Sequence, residues 1–161
     1  MSLSETAPEP QDQLGDPETG GTLIIDLNAV EENFRALTRL LLISECAAVV
    51  KANAYGLGLE PVTTKLANAG CRTFFVADIA EARRARACAG DAAVYVLNGF
   101  SSEAAAAFAE VNVQPVINTL PELAEWDAFV AGSGWRGGAA MHVDTGMNRL
   151  GISVSEAAPQ F

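Results

Sequence analysis

The chain has few basic residues and a single histidine. It contains 10 Lys and Arg against 20 Asp and Glu, so its formal net charge at pH 7 is −10. Such an excess of negative charge argues against nucleic acid and anionic membrane surfaces, and we expect neither as a partner. With 1 histidine and no Cys-x-x-Cys pair in 161 residues, the chain also lacks the usual ligands of a zinc site.

Long hydrophobic runs and paired cysteines are missing as well. No apolar stretch reaches the roughly 20 residues of a transmembrane helix, and no signal peptide with a basic start and an apolar middle is present. The cysteines Cys46, Cys71 and Cys88 are odd in number and widely spaced. Free thiols of this kind fit a reducing compartment, so the sequence predicts a cytoplasmic protein without membrane segments.

The first residues differ in composition from the rest. Residues 1–21 are rich in Pro, Gly, Ser, Thr and acidic residues, and they contain no Lys or Arg. Such a segment buries too little apolar surface to offset the entropy that it would lose on ordering. We therefore interpret residues 1–21 as a disordered acidic leader.

From residue 22 onward, short apolar runs alternate with segments of helical periodicity. This alternation predicts an α/β fold with a parallel sheet of right-handed βα units. An open doubly wound sheet and a (β/α)8 barrel both fit, but no Gly-x-Gly-x-x-Gly follows the first strand to support a dinucleotide fold. The predicted strands are residues 22–26, 46–53, 73–77, 93–97, 113–117 and 139–143; the predicted helices are residues 28–41 (N-cap Asn28), 61–69 (stop Gly70), 79–89, 102–109 and 119–131 (stop at 132–134).

A lysine stands at the exit of the second predicted strand. Residues 46–50 form an apolar run typical of strands buried on both faces, and Lys51 follows directly. Removing its ammonium from water would cost on the order of several kcal/mol. Such a lysine either extends to solvent at the strand end or serves as an amine nucleophile that forms a Schiff base with a carbonyl compound. Gly56 and Gly58 then allow the backbone to approach a ligand closely.

Two motifs carry a resemblance to a known family. Residues 49–58, Val-Val-Lys-Ala-Asn-Ala-Tyr-Gly-Leu-Gly, resemble the lysine motif of bacterial alanine racemases, which use pyridoxal 5′-phosphate. Residues 142–151, His-Val-Asp-Thr-Gly-Met-Asn-Arg-Leu-Gly, resemble the second signature of that family. The resemblance extends over about residues 22–154 and implies the barrel rather than the open sheet.

The resemblance also implies how the chain is divided. Residues 27–161 would form the N-terminal part of a (β/α)8 TIM-type barrel, the fold type III of pyridoxal-phosphate enzymes, truncated to about five βα units. The strand at residues 22–26 would join a C-terminal β domain, which is absent here together with the last barrel strands. We therefore expect a fragment, in which the open sheet edge is an aggregation hazard.

Four residues receive roles from the resemblance. Lys51 would hold pyridoxal phosphate as an aldimine and then exchange the α-proton on one face of the substrate. Tyr55 would reach the cofactor phosphate, Arg149 the phenolic oxygen and the substrate, and Leu97 the cofactor ring. The ordinary alternatives are a half-buried loop aromatic, a surface cation and core packing, respectively. The other lysine, Lys65, lies on a predicted helix, where solvation is the ordinary state.

Two positions depart from the family pattern, and one catalytic group is missing. Leu57 stands where most relatives have histidine, and His142 stands where many have a lysine carbamate that braces the arginine. Because imidazole forms no such carbamate, Arg149 needs another brace, for which a bound anion is one candidate. Racemisation also needs a second acid-base group, which the family takes from a tyrosine of the partner subunit. Tyr55 and Tyr95 lie in no matching context.

The resemblance implies alanine racemase activity, which interconverts L-alanine and D-alanine and supplies D-alanine to peptidoglycan. The full-length family member is expected to be a homodimer. Two alternatives stay open at this point. One is a non-catalytic module or degenerate remnant that binds pyridoxal phosphate weakly or not at all. The other is a different barrel with the same cofactor, either a serine or broad-specificity racemase or a carrier-type barrel without racemase activity.

Overall fold

The main sheet consists of five short parallel strands that lie in the same order in space as in the sequence. The structure is a computed structural model that describes residue 20 and residues 22–158. An open doubly wound sheet would reverse its strand order at one point, whereas a barrel wall is sequential. The α/β barrel prediction is therefore confirmed. The strands are β1 (Ala48–Val49), β2 (Thr73–Val76), β3 (Ala93–Val96), β4 (Gln114–Ile117) and β5 (Ala140–Met141).

His142 links two further strands to this sheet. Its N–H donates to the carbonyl of Ile117 at 2.9 Å, and its own carbonyl accepts from the N–H of Ile152 at 2.8 Å. β6 (Val143–Asp144) therefore continues β5, and β7 (Ile152–Ser153) pairs with β6 in parallel. The sequence prediction contained no strand at β7, because a two-residue strand is too short to show an alternating pattern.

Helices connect these strands on the outside of the sheet. α3 is followed by Gly70, at a φ of 104°, and α6 ends at Gly134, at a φ of 68°, so both predicted glycine stops are confirmed. Positive φ is accessible to glycine at little cost. The segments are α1 (Leu27–Leu40), α2 (Lys51–Tyr55), α3 (Leu59–Asn68), α4 (Ile79–Cys88), a 3-10 turn (Ser102–Ala104), α5 (Ala105–Val111), α6 (Leu120–Ser133) and α7 (Val154–Ala157).

The first helix begins earlier than the sequence predicted. Oδ1 of Asp26 accepts the N–H of Asn28 at 2.8 Å and that of Ala29 at 3.1 Å, so Asp26 is the N-cap and the prediction of Asn28 was wrong. A carboxylate at this position satisfies N–H groups that the first helical turn leaves without partners. The side chain of Asn28 instead accepts from Nζ of Lys65 at 2.9 Å.

Two predicted strands differ in the structure. Residues 22–26 form no strand, and Leu23 and Ile24 are 78% and 83% exposed. The reason is that hydrogen bonds to a neighbour stabilise a strand, and none of the described strands pairs with this segment. The strand predicted at residues 46–53 is confined to β1, because the backbone becomes left-handed after Lys51. The predicted leader, residues 1–21, lies outside the described residues apart from Gly20.

The two faces of the sheet differ in burial. Phe74, Val94 and Val96 belong to the core that includes the helices, and each is at most 2% exposed. Burying a side chain of this size contributes about 1.5–3 kcal/mol to stability. On the other face, Phe75 and Tyr95 stack with 5.2 Å between their ring centroids and are only half-buried. This second face is the one that a closed barrel turns inward.

Within residues 22–158, no helix combines the length and the hydropathy that a membrane crossing requires.

Cys46, Cys71 and Cys88 all carry free thiols. Cys71 is 1% exposed, and its burial raises the pKa of its thiol. A thiol that resists ionisation packs as a small apolar group rather than acting as a nucleophile.

Candidate active site

A pocket of about 360 Å³ opens at the carboxyl ends of the strands. Barrel enzymes place their catalytic residues at this end, where loops from several strands meet. Three of the four residues that received roles from the resemblance line it: Lys51 after β1, Leu97 after β3 and Arg149 between β6 and β7. The fold thus brings both motifs to one place. The other lining residues are Asn98, His142, Met147 and Leu150.

The two lysines of the chain, Lys51 and Lys65, differ in their contacts. Nζ of Lys65 lies 2.9 Å from Oδ1 of Asn28 and 2.8 Å from the carboxylate of Glu31. Lys51 is half-buried at the pocket, and its ammonium has no hydrogen bond or ion pair with any described residue. Lys65 is therefore engaged in joining α1 to α3, whereas Lys51 is left available for a ligand.

The backbone after Lys51 forms a left-handed turn. The N–H of Val50 donates to the carbonyl of Phe75 at 2.8 Å, which is the last contact with the sheet. Residues 52–55 then all have φ between 52° and 56°. This conformation costs roughly 1–2 kcal/mol for each residue that is not glycine. A turn of this kind persists only when contacts with the rest of the protein hold it.

Asn53 provides those contacts. Its backbone N–H donates to Oε1 of Glu81 at 3.0 Å, while Oε2 of Glu81 accepts the N–H of Ala77 at 2.9 Å. The side-chain Oδ1 of Asn53 accepts hydrogen bonds from the N–H of Leu59 at 3.0 Å and from Nη2 of Arg84 at 2.9 Å. The turn is therefore tied to the end of β2, to α3 and to α4.

Arg84 is itself fixed by a bidentate ion pair with Glu60. Its Nε and Nη2 lie 2.6 Å and 2.7 Å from the two carboxylate oxygens. The guanidinium holds the pKa of Glu60 at about 2, so the pair stays charged at neutral pH. The sequence prediction included none of Asn53, Glu81 and Arg84. The one available signal was the asparagine inside the motif, because asparagine tolerates left-handed backbone better than most residues.

Asp144 organises the loop that carries Arg149. Its Oδ1 accepts the N–H groups of Gly146 and Met147 at 2.9 Å and that of Asn148 at 3.1 Å. These backbone donors, that of Gly146 above all, lower the pKa of Asp144. Asn148 has a φ of 55°, and the exposed side chain of Arg149 follows it at the pocket. The loop therefore presents the guanidinium from a hydrogen-bonded frame.

Positive charge is concentrated in this pocket of an acidic protein. Lys51 and Arg149 line it, and none of its described lining residues is an Asp or Glu, although the net charge of the chain is −10. Two cations beside the apolar Leu97 favour a ligand that has anionic groups and an apolar part. The amine can act as a nucleophile or a base, and the guanidinium can bind a carboxylate, a phosphate or a phenolate.

Tyr55 and His142 complete the set of residues that the sequence singled out. Tyr55 is 65% exposed and is not among the pocket-lining residues, so its contact with a cofactor phosphate stays a prediction. His142 does line the pocket, and its Nδ1 lies 2.8 Å from Oδ1 of Asn118. Asn118 was not predicted, since nothing in its local sequence distinguishes it from an ordinary residue at a strand end.

Comparison with known proteins points to one family. The family described as alanine racemase, N-terminal domain, matches residues 25–161. The alanine racemase of Methylobacterium nodulans is 49% identical over 138 residues, which are 86% of this chain and 37% of that protein. The catabolic alanine racemase of Agrobacterium fabrum is 43% identical over 137 residues, 84% of this chain and 35% of that protein. The chain thus spans little more than a third of these relatives.

Solved structures show the same fold. The alanine racemase of Bartonella henselae, described with covalently bound pyridoxal phosphate, has a TM-score of 0.78 and 38% identity, and the match covers 84% of this chain and 38% of that one. A histidine racemase from Leuconostoc mesenteroides has a TM-score of 0.72 and 29% identity, with coverage of 83% and 37%. In both cases this chain corresponds to less than two fifths of the solved chain.

Proposed function

Because the chain belongs to the alanine racemase N-terminal domain family, we propose that it forms the lysine-bearing part of a racemase that uses pyridoxal phosphate to interconvert L-alanine and D-alanine. The observation that carries this proposal is that Lys51 and Arg149 line one pocket and that none of its described lining residues is an Asp or Glu. The chain spans 37% of the Methylobacterium nodulans relative, so the complete activity is proposed for the whole protein and one half of its site for this chain.

The residues of the pocket fit pyridoxal phosphate. A volume of about 360 Å³ lies in the usual range of small-molecule sites, about 300–1,000 Å³. Lys51 offers an amine for the aldehyde, Arg149 a cation for the phenolic oxygen, and Leu97 an apolar surface for the ring. When bound, pyridoxal phosphate supplies an electron sink for the electron pair that is left when the α C–H bond of the substrate breaks.

Lys51 acts twice in this proposal. Its Nζ would hold the cofactor through the aldehyde, and as a free amine it would accept and return the α-proton on one face of the substrate, that of D-alanine. An amine must be free of other partners for both tasks, which agrees with the lack of described partners at Lys51 and with their presence at Lys65. The turn held by Asn53 and Glu81 sets the direction from which Nζ approaches.

Arg149 and Tyr55 bind and orient. A guanidinium is a cation with a planar set of donors, so that of Arg149 would suit the phenolate of the cofactor and the carboxylate of the substrate. The loop frame built by Asp144 limits the positions that the guanidinium can take. Tyr55, at 65% exposure, keeps its hydroxyl available for the phosphate.

The opposite face of the substrate needs a second acid-base group. Tyr95 stacks on Phe75 with 5.2 Å between ring centroids, and neither Tyr95 nor Tyr55 is among the residues that line the pocket. Neither tyrosine therefore suits this task. We assign it to a tyrosine of a partner subunit in a homodimer, as the family resemblance implies.

The proposed physiological role is to supply D-alanine for peptidoglycan. The proposed compartment is the cytoplasm, which suits the free thiols of the described cysteines. The relative from Agrobacterium fabrum is named catabolic, so D-alanine breakdown is the alternative direction of use. A second candidate substrate is another amino acid, which the likeness to a histidine racemase favours.

Deuterium exchange tests the proposal on this chain. The purified chain, saturated with pyridoxal phosphate in D₂O, should exchange the α-proton of D-alanine without inverting the amino acid, because Lys51 serves one face. Proton NMR follows the α-proton, and chiral separation measures any L-alanine. Lys51→Ala should abolish exchange, and the matched control Lys65→Ala should retain it. Equal exchange rates in the wild type and in Lys51→Ala would refute the proposal. The same measurement with D-serine and D-histidine shows which amino acid exchanges fastest and is therefore the substrate.

A further inference from the structure

His142 is held on every side but one. It is the only histidine of the chain, and its backbone is bonded to Ile117 on one side and Ile152 on the other. The ring packs against Gly151, where an added Cβ would lie 3.1 Å from the ring atoms Cγ and Cδ2. Nδ1 lies 2.8 Å from Oδ1 of Asn118. Nε2 is the ring nitrogen without a partner among the described residues, and the ring lines the pocket.

The orientation of the Asn118 amide is fixed by its other contacts. Its Nδ2 donates to the carbonyls of Leu97 and Val116, each at 3.0 Å. Carbonyl oxygens only accept, so turning the amide over would bring oxygen against oxygen. The backbone N–H of Asn118 donates to Glu122 at 2.8 Å, and the residue is 4% exposed. Oδ1 of Asn118 therefore stays directed at His142.

This orientation decides which ring nitrogen of His142 carries the proton. An amide oxygen accepts hydrogen bonds and cannot donate, so Nδ1 must be the protonated nitrogen. In a neutral imidazole, Nε2 is then an acceptor. Neutral histidine in water favours the tautomer with the proton on Nε2. The hydrogen bond to Asn118 therefore stabilises the tautomer that is less populated in water.

We propose that Asn118 holds His142 in the Nδ1–H tautomer and thereby leaves Nε2 as an acceptor for the guanidinium of Arg149, with which it makes no hydrogen bond in the described structure. Arg149 lines the same pocket and has only donors, and the described lining offers it no carboxylate. A neutral acceptor orients the guanidinium without neutralising it, which leaves its charge for an anionic ligand. Asn118 is thus a positioning residue that acts through His142. The tautomer assignment does not depend on the proposed function. The role given to Arg149 as a ligand-binding cation rests on that function.

Nitrogen-15 NMR of the labelled chain tests the tautomer directly. With 1 histidine in the chain, the two ring-nitrogen signals are unambiguous. At alkaline pH, Nδ1 should resonate as the protonated nitrogen and Nε2 as the unprotonated one. A protonated Nε2 in the wild-type chain would overturn the proposal, and this result requires no variant to fold.

Variants then test each partner. Asn118→Ala, checked for folding by circular dichroism, should shift the proton to Nε2, and Asn28→Ala, which removes an asparagine from α1, should not. Arg149→Met should move the Nε2 resonance towards that of an imidazole without a donor, and the control Arg136→Met, at an exposed arginine outside the pocket, should leave it in place. An unchanged Nε2 signal in Arg149→Met would overturn the pairing. Since no measurement here uses the cofactor, a chain that fails to bind pyridoxal phosphate but keeps the tautomer would refute the proposed function alone.

Discussion

The carboxylate of Glu81 accepts the backbone N–H of Asn53 at 3.0 Å, two residues after the lysine of the pocket. Its second oxygen accepts the N–H of Ala77 at 2.9 Å. One side chain of α4 therefore joins the end of β2 to the left-handed turn that follows β1. Because the turn sets how Lys51 leaves the sheet, the position of the amine depends on a residue 28 positions from Asn53 in sequence.

Glu81→Gln should weaken this attachment. An amide has one accepting end, so one of the two backbone N–H groups loses its partner. We expect the free energy of unfolding to fall by about 1–3 kcal/mol, measured by urea denaturation, and the attachment of pyridoxal phosphate to Lys51 to slow. Glu110→Gln, the same change at an exposed ion pair with Arg83, should affect neither quantity. Equal effects in the two variants would contradict the role of Glu81.

Acid should loosen the loop that carries Arg149. Backbone donors lower the pKa of Asp144 below the ordinary value of about 3.9. The contribution of the charged form to loop stability is therefore complete above that ordinary value and is lost as the pH falls through the lowered pKa. The amide NMR signals of Gly146 and Met147 should move with a midpoint below about 3.9. Asp144→Asn should lack this step; a wild-type midpoint at or above the ordinary value would contradict the loop frame.

A methyl group at Gly151 should disturb both the loop and the imidazole. Gly151 has a φ of 104°, and an added Cβ would lie 3.0 Å from the backbone nitrogen of Asp144 and 3.1 Å from the ring of His142. Gly146 has a φ of 134°, but a Cβ there would meet nothing within 4 Å. Each alanine variant should lose about 1–3 kcal/mol to backbone strain, and Gly151→Ala should lose more. Urea denaturation compares them, and equal losses would mean that the ring does not pack there.

The order of strands and helices could be predicted because the apolar runs are short and the helices carry their own end signals. Gly70 and Gly134, for example, mark the ends of α3 and α6. Residues 52–55 could not be predicted in the same way, because their left-handed conformation is stabilised by Glu81 and Arg84 from another helix. Periodicity describes a residue and its near neighbours only.

The same limit applied to the site. The sequences of two motifs identified Lys51 and Arg149, and the order of the strands identified Leu97. No sequence pattern connects Asn118 with His142. The two residues are 24 positions apart and meet only because β4 and β5 are neighbours in the sheet. A contact between side chains on different strands becomes visible once the register is known.

The most direct test of the account is to find which lysine pyridoxal phosphate labels. The chain is incubated with the cofactor, reduced with borohydride and digested, and the labelled peptides are identified by mass spectrometry. The account predicts label on Lys51 and none on Lys65, whose ammonium is held by Asn28 at 2.9 Å and Glu31 at 2.8 Å. Lys51→Arg should then remove the label. Label shared between the two lysines and the N-terminus, or no label at all, would contradict the claim that this pocket binds the cofactor.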